Sequence, residues 1–246
     1  MSLAASTDTL KAVLGLRAEP VAVFLRHDEN LAPFGAWQRL RAHRYCQALM
    51  RARHGASVLL VPDELACPAA AAAFGFRALP ENLANGKGLV GFGIVSRPET
   101  GQAMFAGMSR LEPGAVGALA LCPLAVAPHL PDVVVVEDEA ERLMWLLLAD
   151  LNVAGGARRS ASTAVLQATC VDATIIPHLE QRLNFSLGCY GCREATDLGT
   201  ADTVLGFPGA MLEPLVAALV ALGDRAVPRS RAKVAYTSLE AKGDPR

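Results

Sequence analysis

Two cysteines three positions apart, Cys189 and Cys192, stand in the run Gly188-Cys-Tyr-Gly-Cys-Arg193. Two thiolates at this spacing on a turn reach the same side, where they hold one metal together or cycle between dithiol and disulfide. The flanking glycines keep the turn unobstructed, and Arg193 favours the thiolate forms. Cys67 precedes Pro68, whose fixed φ suits the first turn of a helix. The Cys67 sulfur is therefore expected at a helix N-terminus, a good position for a ligand. Cys46 falls in a helical pattern, with Arg39, His43, Leu49, Met50 and Arg53 on or near its face, and reads equally as ligand or core. Cys170, in Gln167-Ala-Thr-Cys-Val-Asp172, is a further candidate ligand or a core residue. Cys122, inside the apolar run Leu119 to Val126, reads as buried strand filler.

The spacings discriminate among centres. Zinc ribbons join two C-x-x-C knuckles, and this chain has one, with Cys46 and Cys67 single and separated by a strand. One close pair with dispersed single cysteines fits the wide corners of a 4Fe–4S cluster better. The expected metal ligands are Cys46, Cys67, Cys189 and Cys192, with Cys170 as substitute. Three ligands would leave an iron open to substrate, as in a redox or sulfur-handling enzyme, whereas four would suit electron transfer or oxidant sensing. Two alternatives stay open. One is a small-anion-binding module with structural zinc, in which Arg158, Arg159 and the basic residues at 39–53 contact the ligand, and Arg193 lies beside the cysteine pair. The other is a thiol oxidoreductase that needs only the C-x-x-C pair. No H-x-x-x-H, H-E-x-x-H, Walker or G-x-S-x-G pattern occurs.

The elements that position these residues read as α/β. Strands are expected at Val21–Leu25, Ser57–Val61, 116–126, Asp132–Val136 and Phe185–Leu187, with a hairpin through Leu89–Val95. Helices are expected at 36–54, 69–74, 137–151, in part of 163–183, and from Pro208–Pro214 to about Leu222. Strand-then-helix alternation points to a mixed or mainly parallel sheet flanked by helices, with Gly-rich loops. The expected organisation is a single domain over 1–225, or two sub-lobes with a break near 80–115, and a loose polar tail at 226–246.

With 246 residues, 52% of them hydrophobic, the chain can bury a core without disulfides. A net charge of −1 argues against nucleic acid as a partner. The N-terminus does not read as a secretory signal, so a cytoplasmic location is expected, where six cysteines are poor candidates for disulfides. The uncharged run from Pro113 to Pro131 is broken by Pro123 and Pro128, so no membrane span is expected.

Several segments taken together resemble a known family. They are Glu19-Pro-Val-Ala-Val23, Arg44-Tyr-Cys-Gln47, Ala66-Cys-Pro68 with its small-residue helix and Gly75-Phe76, Pro131-Asp-Val-Val-Val135, and Asn184-Phe-Ser-Leu-Gly-Cys-Tyr-Gly-Cys-Arg193. This combination is similar to the domain of unknown function 169 family of bacteria and archaea, over about residues 10–222. The resemblance implies no particular activity. It places Cys46, Cys67 and the Cys189 region inside family motif segments and leaves Cys122 outside them.

Overall fold

The computed structural model describes residues 1–26 and 31–241. Apolar residues alternate between two faces along the strands, and this alternation organises the fold. Val21, Val23 and Leu25 point to one core, while Ala22 and Phe24 point to another on the opposite face; successive side chains of a strand must leave on opposite sides. Seven strands form one sheet: β1 (Val21–Arg26), β2 (Gln38–Arg39), β3 (Val58–Leu60), β4 (Ala118–Pro123), β5 (Val133–Glu139), β6 (Asn184–Ser186) and β7 (Asp202–Pro208). Their order is β2-β3-β4-β1-β5-β7-β6.

The α/β class is as expected, but the sheet is mixed and mostly antiparallel. Among the described residues β2 and β3 are the only strands that pair in parallel, and the other strand pairings are antiparallel. Strand–helix alternation misleads here because β4 and β5 are separated by β1, and the chain after β5 makes a long excursion before returning beside it as β7.

Eleven α-helices are described: α1 (Leu3–Leu14), α2 (Tyr45–Arg53), α3 (Pro68–Ala73), α4 (Glu81–Ala84), α5 (Lys87–Gly91), α6 (Pro98–Ala106), α7 (Ala140–Val153), α8 (Ile176–Glu180), α9 (Tyr190–Ala195), α10 (Leu212–Arg231) and α11 (Val234–Ala241). A π-helix spans Ala168–Ile175. One face of the sheet buries residues of α1, α7 and α10. The other is covered by α2, α3, the π-helix and side chains from α4 to α6, and it carries the cysteines discussed below.

Four local expectations are corrected. Helix α2 starts at Tyr45, not 36, because Gln38 and Arg39 pair with Val58 and Leu59; Arg39 and His43 therefore share no helical face with Cys46. The expected hairpin at 89–95 is instead the end of α5, Lys87–Gly91, followed by a turn. Pro80 and Pro98 open α4 and α6, and the Asn85 carboxamide oxygen accepts from Lys87 N at 3.0 Å as α5 begins. Strand β7 was not anticipated. Helix α10 continues past Leu222 to Arg231, whose guanidinium donates to the Leu14 carbonyl at 2.7 Å. Residues 234–241 of the expected tail are also helical, and 242–246 lie outside the described residues.

Candidate cysteine-lined functional site

The chain before α2 runs beside the chain before α3. His43 bridges Leu65 in parallel, and Ala66 N donates to the His43 carbonyl at 2.9 Å. This pairing brings together two helix starts, so that Cys46, the second residue of α2, approaches Cys67, the N-cap of α3. Side chains of the first turn of α2 then grip α9. Arg44 Nη1 donates to the Gly191 carbonyl at 3.3 Å and to Glu194 at 2.7 Å. Gln47 accepts from Arg44 N at 3.0 Å through Oε1 and donates to the Ala195 carbonyl at 3.2 Å through Nε2.

Cys189 is the N-cap of α9, and its sulfur accepts from Cys192 N at 3.4 Å. The Cys189 thiol donates to Cys192 Sγ across 3.1 Å. The Thr169 hydroxyl lies 3.0 Å from Cys192 Sγ, and the Cys170 thiol donates to the Gln167 carbonyl at 3.6 Å. The π-helix that carries Cys170 is fixed to α2 through Tyr45 Oη, 2.9 Å from Thr174 Oγ1. A π-helix of this length is rare, and such segments concentrate at functional sites.

Cys46, Cys67, Cys170, Cys189 and Cys192 all line one cavity of about 320 Å³. Its remaining wall is mainly apolar, with Leu83, Leu89, Phe92, Ile94 and Phe105 from the α4–α6 region and Leu166 before the π-helix. The thiols influence one another. Burial raises the Cys170 pKa well above the ordinary thiol value, and Cys67, Cys192 and Cys189 add to the effect. The hydrogen bond that Cys189 gives to Cys192 raises its own pKa, as does burial. That bond favours the Cys192 thiolate, but Cys46 and burial outweigh it and push Cys192 up to about 12. These three thiols are therefore protonated at neutral pH in the metal-free protein. Several adjacent thiolates would repel one another unless a cation sat among them.

The profile of the domain of unknown function 169 family, described as uncharacterised ArCR, matches residues 9–218. This chain belongs to that family. A relative, the uncharacterized protein MJ0308 of Methanocaldococcus jannaschii, is 29% identical over 201 residues, which covers 81% of this chain and 85% of the relative. No solved structure matches. In this member of the family, the motif segments around Cys46, Cys67 and Cys189 converge on the cavity, although they are far apart in sequence.

Among the described residues, no three His, Cys, Asp or Glu side chains stand ready as a metal site. The donor chemistry nonetheless suits a thiophilic centre, because five buried or half-buried sulfurs share one cavity. The arginines lie elsewhere. Arg159 pairs with buried Asp150 at 2.7 Å, Arg158 is exposed on the loop after α7, and neither lines the cavity. Arg193 donates to the carbonyls of Leu187 and Gly199 at 2.6 Å and of Asp202 at 2.9 Å. It braces the loop that delivers Cys189. Cys122 faces the opposite core, where burial pushes its pKa up to about 12.

Sequence reasoning missed the polar groups behind and beside the thiols. Thr169 Oγ1 donates to Glu137 Oε1 at 3.4 Å. Glu137 Oε2 lies 2.9 Å from Arg53 Nε, too poorly aligned for a hydrogen bond. Arg53 in turn pairs with Asp197, which His54 Nε2 approaches at 2.7 Å. Burial pushes the Glu137 carboxyl up to about 7 against the pull of Arg53. No spacing rule finds these residues, because β5, α2, α9 and the π-helix meet only through tertiary packing. The αL residues Val165 and Gln167, which set up the π-helix, also leave no mark in a hydrophobic pattern.

Proposed function

We propose that the five-cysteine cavity is an iron–sulfur site and that the protein carries one 4Fe–4S cluster through Cys46, Cys67, Cys189 and Cys192, with Cys170 in reserve. The carrying observation is the convergence of these thiols, from four separate elements, on one cavity. The raised pKa values of Cys170, Cys189 and Cys192 mean that metal binding there must release protons, which makes cluster uptake pH-dependent. Bound there, the cluster supplies electron transfer or, where three thiolates hold it, an iron open to the cavity. The positions of Arg158 and Arg159 away from the cavity weigh against the anion-module alternative.

The test is anaerobic purification. Brown protein with a broad band near ~400 nm, with iron and sulfide in equal amounts, is expected, and Cys67→Ser and Cys189→Ser lose both. Colourless protein with stoichiometric zinc overturns the reading.

The 3.1 Å approach of the Cys189 and Cys192 sulfurs supports a second reading, a dithiol redox pair in a reducing compartment such as the cytoplasm. Dithiol chemistry needs only those two residues. A Cys67→Ser variant that retains full disulfide-reductase activity favours it over the cluster.

A further inference from the structure

Among the polar side chains on the cavity wall that the cluster reading does not use, Asn82 and Tyr190 are exposed to solvent and Gln167 is buried. Gln167 lines the cavity and is only 9% exposed. It occupies the left-handed region at φ 57° and ψ 37°, which a non-glycine residue adopts at a cost. Its backbone carbonyl accepts from Val171 N at 2.8 Å and from the Cys170 thiol at 3.6 Å. Its carboxamide has no hydrogen-bond partner among the described residues. The carboxamide oxygen and nitrogen are not among the sealed-off polar atoms; they open to the cavity, where a ligand can replace the water that hydrates them.

The surroundings narrow what fits. Leu83, Leu89, Ile94 and Phe105 offer only apolar contact. The one cation on the wall, Arg44, is neutralised by Glu194 at 2.7 Å. Thr169 is engaged with Cys192 and Glu137. An anion would meet sulfurs that are neutral or negative, and a cation would be desolvated among leucines and phenylalanines with no free carboxylate.

We propose that the cavity binds a small uncharged ligand whose apolar body packs on the α4–α6 wall and whose single hydrogen-bonding group is read by the Gln167 carboxamide, beside the thiols. The placement beside a cluster rests on the iron–sulfur reading, whereas the ligand class rests on the cavity alone. Gln167 is thus the specificity-determining residue of the site, and it lies beside the Cys170 thiol, which donates to its carbonyl.

Four probes of similar size test this by saturation-transfer NMR on the full chain, purified anaerobically: acetophenone, ethylbenzene, benzoate and benzylamine. Acetophenone is expected to bind at least about fivefold more tightly than the other three, the loss of one buried hydrogen bond or the desolvation of a charge being worth that much or more. Gln167→Met is expected to bring acetophenone down to the level of ethylbenzene. Gln167→Asn, which tolerates the left-handed backbone and keeps a carboxamide, is expected to retain a preference for the ketone. Equal binding of ketone and hydrocarbon by the unmodified protein overturns the inference, as does a preference for either charged probe or no binding of acetophenone up to about 5 mM. Iron and sulfide are assayed on the same samples. Loaded protein without the ketone preference overturns the ligand class and leaves the cluster standing, while the preference in iron-free protein supports the ligand class and removes the cluster.

Discussion

Ala22 and Cys122 pair across β1 and β4, and that register puts both on the face away from the cavity. A cysteine one position along would have faced the other core, since alternate residues of a strand leave on opposite sides. Cys122→Ala is therefore expected to leave iron per protein unchanged, at a stability cost of about 1–2 kcal/mol for the lost buried sulfur, measured by urea denaturation with iron analysis. That Cys122 is buried in a strand was legible in the sequence, because an unbroken apolar run marks a strand buried on both faces; which face it takes was not. Glu137 was not. Its carboxyl is pushed from 4.5 to about 7, chiefly by burial, so between those pH values the folded protein holds a proton that the unfolded chain has released. Stability is then fully expressed below pH 4.5 and falls as pH rises toward 7, by on the order of 3 kcal/mol. Glu137→Gln is expected to flatten this dependence in denaturation curves taken at pH 4.5, 6 and 7.5; an unchanged slope would place the titration elsewhere.

At the scale of elements, two glycines hold the cysteine-bearing segments in place. Gly188 has φ +91°, and a Cβ there would lie 3.2 Å from the Arg193 guanidinium. Gly188→Ala is expected to cost about 1–2 kcal/mol and to lower the iron content of the proposed cluster site by displacing Arg193 from the Leu187 carbonyl. Gly206, in β7, sits beneath the π-helix, and a Cβ there would fall 1.8 Å from the Ala173 carbonyl oxygen. Gly206→Ala is expected to be worse, at least about 3 kcal/mol in a chemical melt, because the obstacle is backbone and cannot rotate away. The contribution of Gly188 was visible in the cysteine motif itself. That of Gly206 was hidden, since β7 ends in Pro208 and carries a glycine, features that lower strand propensity in isolation. Its burial between β5 and β6 outweighs that propensity. The 36–54 segment erred in the opposite direction: Trp37, Leu40 and Leu49 keep an approximately helical spacing, yet the backbone of Gln38 and Arg39 is paired with β3.

For the whole molecule, a centre that binds the folded chain and not the unfolded one must raise its stability by mass action. Reconstitution with iron and sulfide is expected to raise Tm by about 5–10 °C in a chain of this size, read by anaerobic calorimetry; in Cys189→Ser the shift should vanish. Among the described residues no helix is long and apolar enough to cross a membrane, in keeping with the prolines that interrupt the Pro113–Pro131 run. What the sequence determined by itself was local: the α/β class, β1, β3, β4 and β5, the N-cap position of Cys67, and membership of the family, each carried by neighbouring residues or by period; the helix α9 that holds Cys192 was not read from the glycine-flanked pair. Tertiary structure alone decided the antiparallel order of the sheet, which cysteines face the cavity, and the positions of Gln167 and Glu137. Those depend on strand register and on which helix starts meet across the sheet face, and contacts between residues more than a hundred positions apart leave no periodicity along the chain.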